Sequence, residues 1–126
     1  MDIRRKCKRY ACDFEVGILD DSDEYFRSET CDISDEGIYL LVPIRSIAGL
    51  EDNGKELKVG GSIKLSIPNP PKTSQCEVQG KIMHSKAIID GRFFVGVQFD
   101  TMENKVRDFI ADVIDDLKTR DENKLH

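Results

Sequence analysis

Between Ala11 and Phe99 apolar side chains recur at every second position in one short run after another, and from Val106 the spacing changes to threes and fours. A strand sends alternate side chains to opposite faces, whereas a helix returns to the same face every 3.6 residues. The chain must therefore build sheet with one buried face and finish on a single amphipathic helix. Ala11–Leu19 carries Phe14, Val16 and Ile18 in phase, and Glu24–Ile33 resumes after the Asp-Asp-Ser-Asp cluster at 20–23, as in an antiparallel hairpin. Gly37–Ile44 is a third strand, and Ser62–Ile67 alternates Ile63, Leu65 and Ile67 before Pro68. Gln75–Ile89 reads as a long strand or two with Val78, Ile82 and His84 in phase, which predicts a partly buried histidine. Arg92–Phe99 is the last strand, with Phe93, Val95, Val97 and Phe99 on one face and Phe94 and Gly96 on the other. Residues 45–61, with Gly49, Gly54, Gly60, Gly61 and many charges, read as an extended surface loop.

Val106, Phe109, Ile110, Val113, Ile114 and Leu117 then mark a helix over about 102–119, with Thr101 as its expected N-cap and its stripe packed on the sheet. Six or seven strands and one terminal helix predict a mainly β fold, a small antiparallel barrel closed so that few edges remain exposed. At 126 residues this is one domain, with no repeat and no linker to divide it. The longest uncharged apolar run, Gly37–Ile44, is too short to cross a bilayer, and no secretory signal is expected. A cytoplasmic protein is the reading, with Cys7, Cys12, Cys31 and Cys76 as reduced thiols in no zinc-like spacing.

Charge is unevenly placed. Arg4, Arg5, Lys6, Lys8 and Arg9 against Asp2 make residues 1–9 net +4, which leaves −9 for the rest of a chain whose formal charge is −5. Residues 1–10 thus form a basic arm, expected to be flexible, ahead of an acidic body at 11–120. The net charge argues against general nucleic-acid binding. A charge run is ordinarily a solubilising tail, and the sharper alternative is an anion clamp.

Sites for chemistry are few. Gly49 to Lys55 mimics a nucleotide-triphosphate loop, but Glu56 stands where a hydroxyl residue is needed and Glu51 and Asp52 would repel phosphate. The cluster Asp20–Glu24 lacks the glycine and distal glutamate of a calcium loop and reads as a solvated turn. One internal histidine, His84, on an apolar face supplies no triad, so neither an enzyme nor a metal site has support. What stands out is Asp32-Ile33-Ser34-Asp35-Glu36-Gly37, a D-x-S-x-x-G between two strands. Its plain reading is a well-made β-turn, since Asp and Ser bond nearby backbone and Gly tolerates the tight geometry.

Arg5-x-x-x-Arg9 before the first strand and D-x-S-x-x-G some twenty residues later together resemble the PilZ family of cyclic di-GMP receptors. Gly61-Ser62-Ile63-Lys64-Leu65 resembles that family's glycine-led middle strand, and Phe93–Phe99 its closing strand. The resemblance runs from Arg4 to Leu117, as for a stand-alone domain, and departs at 45–60, where the loop is longer than the family's usual one. It implies a six-stranded antiparallel barrel with a C-terminal helix, and a ligand site where the arm folds over the outer surface. Arg5 and Arg9 would grip guanine edges and phosphates, Asp32 and Ser34 would hold guanine and the neighbouring phosphate region, and Gly37 would keep the turn tight. Arg4, Lys8, Phe94 as a stacking face, and Gly96 beside it are further candidates. Cyclic di-GMP would be the ligand, with no cofactor or metal, and an unidentified downstream protein would receive the signal. A monomer or weak homodimer is expected. The alternative is an interaction module on the same barrel that binds no nucleotide.

Overall fold

The computed structural model describes residues 8–70, 72–100 and 103–124, apart from the side chains of residues 121–124. Strands β1 (Tyr10–Ala11), β2 (Glu15–Leu19), β3 (Tyr25–Ile33) and β4 (Gly37–Pro43) lead into helix α1 (Ile44–Asp52). Strands β5 (Ser62–Pro68), β6 (Gln75–Ala87) and β7 (Arg92–Phe99) follow, then helix α2 (Asn104–Lys124). The hydrogen-bonded order is β3-β2-β5-β6-β7-β4, and β4 pairs back onto β3, so six antiparallel strands close into a barrel. The short β1 pairs with the end of β3 beyond its pairing with β2, with Tyr10 opposite Ile33 and Ala11 opposite Asp32.

The alternation read from the sequence is the inside-outside alternation of this barrel. Val16, Ile18, Ile38, Leu40, Val42, Leu65, Ile67, Ile82 and Val95 are all fully buried, in one core shared with Ile110, Val113 and Leu117 of α2. Burying a Val, Leu or Ile side chain contributes about 1.5–3 kcal/mol, so these staves dominate the favourable side of folding. β4 lies close against β7 at Gly37. A Cβ on Gly37 would lie 2.3 Å from the Val97 carbonyl oxygen, so only glycine lets β4 approach there.

The expected loop at 45–61 begins instead as helix α1. Its N-cap is Pro43, with no side-chain cap and no acidic residue in the first turn, so the usual start signals are missing. Nine residues are too few to be helical alone, and tertiary contact supplies what propensity does not. Ile47 and Leu50 drop into the core, the Ser46 hydroxyl donates to the Arg27 carbonyl at 2.7 Å, and Gly49 leaves room for the Phe26 ring. At the other end, α2 continues to Lys124, past the last apolar residue of its stripe. Arg120, beyond that stripe, anchors the extension by donating to the Pro70 carbonyl. Thr101 lies outside the described residues.

Candidate ligand site on the outer face of the barrel

Two bulges decide which side chains reach the outside. In β3, Thr30 pairs with Leu40 and Asp32 with Tyr39, so Cys31 is an extra residue in the strand. Thr30 faces inward; without the extra residue Asp32 would do the same, and with it Asp32 turns outward beside Tyr39. In β6, Ile82 pairs with Val97 and His84 with Gly96, with Met83 as the extra residue. His84 is therefore exposed on the outer face, which corrects the expectation of a partly buried histidine in phase with Ile82. A row results across four neighbouring strands: Asp32 on β3, Tyr39 on β4, Gly96 on β7 and His84 on β6.

The D-x-S-x-x-G segment is the turn that joins β3 to β4. The Ser34 amide donates to the Gly37 carbonyl at 2.9 Å, closing it. Ser34 is fully buried, and its Oγ accepts from the amides of Glu36 and Gly37, each at 3.2 Å. The serine is thus a structural member of its own turn as well as a polar group beside Asp32.

Arg9 reaches this turn because β1 runs along β3. Its Nε donates to Asp32 Oδ1 at 2.5 Å, and its Nη1 donates to Ser34 Oγ at 3.3 Å. Its guanidinium carbon lies 4.4 Å from the centre of the Tyr39 ring. Tyr39 in turn stacks on Phe94, with ring centres 4.9 Å apart and planes 21° from parallel. Gly96 makes that arrangement possible: a Cβ there would sit 2.4 Å from Tyr39 Cε1 and 3.0 Å from His84 Cδ2. Both members of the Arg9–Asp32 pair keep about a third of their side-chain surface open, 33% and 30%. Ion pairs this open to solvent contribute about 1 kcal/mol or less, so a competing ligand could separate them at small cost.

Arg9, Asp32, Ser34 and Gly37 thus lie together, with Phe94 and Gly96 beside them. Lys8 points elsewhere, its Nζ 5.5 Å from the Tyr10 ring, which Lys118 of α2 approaches at the same distance. Arg4 and Arg5 lie outside the described residues. Tyr39 escapes a reading of motifs, although its outward phase two residues after Gly37 and its position opposite Gly96 are the signals that mark it.

The acidic cluster at 20–24 is closed upon itself. Asp20 is 3% exposed rather than solvated as its cluster suggested, and its carboxylate accepts from the Ser22 and Glu24 amides and from Asn53 Nδ2 at 2.8–2.9 Å. Among the described residues no group of three or more His, Cys, Asp or Glu could hold a metal ion. No described helix is long and apolar enough to cross a membrane.

A family model described as the PilZ domain matches residues 3–116. The structure is similar to the PilZ domain of YcgR from Escherichia coli with c-di-GMP, with a TM-score of 0.68 and 16% identity, covering 97% of each chain. It is similar also to the Bacillus subtilis inhibitor of motility, MotI/DgrA, with a TM-score of 0.69 and 17% identity over 99% of this chain and 55% of that one. The K. pneumonia MrkH–c-di-GMP complex gives a TM-score of 0.70 and 17% identity, covering 98% of this chain and 57% of that one. The chain thus spans little more than half the length of MotI and MrkH. Among curated proteins no sequence match is found.

Proposed function

The chain belongs to the PilZ domain family, whose model matches residues 3–116, and from that premise we propose that it is a non-enzymatic receptor for cyclic di-GMP that signals to a partner protein. The observation that carries this reading is the seat of Arg9 on the outer face of the barrel, donating to Asp32 and Ser34 above Tyr39. Guanine presents O6 and N7 as a pair of acceptors that an arginine fork matches, and its N1–H and N2–H₂ edge suits a carboxylate. Arg9 and Asp32 are those two groups, set side by side.

Ligand capture is an exchange of partners. The Asp32 carboxylate gives up Arg9 and accepts from the guanine N–H edge, while Arg9 turns its fork to guanine acceptors or a phosphate oxygen. Ser34 lies next to the adjoining phosphate region, and Gly37 keeps the turn that presents it. Arg5 and Arg4, and more distantly Lys8, supply further positive charge against the two phosphates. Phe94 and Gly96 support the site from the neighbouring strand through Tyr39. Because Arg9 is followed directly by Tyr10, which packs near Lys118 of α2, a shift of the arm is felt at that helix. The surface formed by the arm and α2 is the output offered to a partner.

Calorimetric titration with cyclic di-GMP tests the reading, with GTP as control and Arg9→Ala and Asp32→Asn as variants. Affinity of micromolar order, about −8 kcal/mol, is expected for the unaltered protein. Both variants should lose it while melting cooperatively within a few degrees of the parent. No heat at high ligand concentration from a protein that melts cooperatively would refute the receptor assignment and leave the interaction module.

A further inference from the structure

We propose that Tyr39 is the positioning residue of Arg9, holding the guanidinium flat on the barrel so that the free protein already presents the arginine where ligand is to be met. Its consequence for affinity rests on the receptor reading above; the stacking itself does not. Strand order fixes how the contact is built. Arg9 arrives from β1 along β3 on one side of β4, and Phe94 stands on β7 on the other side. Tyr39 on β4 is therefore approached from both flanks, by the guanidinium at 4.4 Å and by the Phe94 ring at 4.9 Å.

Each part of this column has a local cause. Opposite Tyr39 in the β4–β7 register is Gly96, and the tyrosine ring occupies the space that a Cβ there would need. The ring is therefore held over bare backbone and braced by Phe94. The bulge at Cys31 brings Asp32 level with Tyr39, so that the Arg9 Nε meets a carboxylate while its guanidinium carbon lies over the ring, 4.4 Å from the centre. A guanidinium can stack on an aromatic face and still donate in its own plane, which an ammonium cannot do as well. The tyrosine ring, rather than its hydroxyl, performs this task. When ligand takes over Asp32, Arg9 loses its ion-pair partner but keeps its platform, and so pays less to stay ordered.

Two readouts test this. In the ligand-free protein, ring current should move the Arg9 side-chain proton resonances upfield. The displacement should persist in Tyr39→Phe and vanish in Tyr39→Leu. In Gly96→Ala it should also shrink, because the added Cβ, 2.4 Å from Tyr39 Cε1, pushes the ring aside without altering Arg9, Asp32 or Ser34. In titrations with cyclic di-GMP, Tyr39→Leu and Gly96→Ala should each weaken binding about tenfold, a loss of about 1.4 kcal/mol. Tyr39→Phe should stay within about twofold, and the two Tyr39 variants should melt close to the parent, since the tyrosine ring stands outside the core. Absence of the ring-current displacement in the unaltered protein overturns the proposal, and needs no variant to fold. So does a Tyr39→Leu protein that binds as the parent does, or a Tyr39→Phe protein as weak as Tyr39→Leu, which would assign the role to the hydroxyl. A protein that shows the displacement yet binds no cyclic di-GMP overturns the receptor reading and with it the role in capture, while the stacked column stands.

Discussion

Replacing Ser34 by alanine separates what the motif does for the fold from what it does for a ligand. The hydroxyl oxygen accepts from the Gly37 and Glu36 amides at 3.2 Å each and from Arg9 Nη1 at 3.3 Å. Gly37 is buried at the start of β4, and Ser34 itself has no exposed surface. Removing the acceptor of a buried donor costs about 1–3 kcal/mol. Distances of 3.2 Å are at the long end for N–H···O bonds, which places the Gly37 contribution near the lower half of that range. Glu36 is exposed, so water can replace the oxygen there, and the Arg9 bond is long at 3.3 Å and comes from a side chain that water still reaches, so it adds less than about 1 kcal/mol. Ser34→Ala should therefore lose about 1–2 kcal/mol, a fall in melting midpoint of roughly 3–10 °C for a domain of this size. Urea unfolding followed by circular dichroism measures this directly, with an unchanged m-value showing that the same surface is exposed. A loss below about 0.3 kcal/mol would refute the reasoning, because the Ser34 amide bond to the Gly37 carbonyl would then hold the turn unaided. Arg9→Ala removes none of the turn's own bonds, so its effect on binding, not that of Ser34→Ala, isolates the ligand contact.

Gly37→Ala should cost about 3 kcal/mol, since its Cβ would meet a backbone oxygen of β7 at 2.3 Å, and a thermal melt near that of the parent would show that β4 can move away. Asp20 has its pKa held below the ordinary carboxylate value, first by the Glu24 amide and also by Asn53, the Ser22 amide and Lys64. A depressed folded pKa gives stability that is complete above the unfolded value of about 3.9 and drains away as pH falls through the lower folded one. Asp20→Ala should thus be clearly less stable than the parent at pH 7, the gap narrowing only below about pH 4; a gap independent of pH would sink this account. Burial pushes the Cys12 thiol up to about 11. At pH 8 its alkylation by iodoacetamide should be at least about tenfold slower in the folded protein than in urea, and equal rates would mean that the site is open.

The barrel itself was legible in the residues because its physics is local and repetitive. Each stave announces itself by alternation, as in Ile63-Lys64-Leu65-Ser66-Ile67, and α2 by a spacing that persists from Val106 to Leu117. The turn at Asp32–Gly37 was legible for the same reason, since its serine bonds amides two and three residues away. Helix α1 was not, because its stability comes from Ile47 and Leu50 entering a core assembled by distant strands. Nor could pattern place Asp32 and His84 on the outer face. Period two is kept only while pairing is regular, and one extra residue at Cys31 or Met83 reverses every side chain beyond it. Tyr39 gained its place only when β4 met Gly96 on β7 and Arg9 came in along β3, residues separated by most of the chain. Sequence determines which way a residue faces when its neighbours along the chain decide it; tertiary structure decides when the deciding neighbour lies across a strand pair whose register no local pattern records.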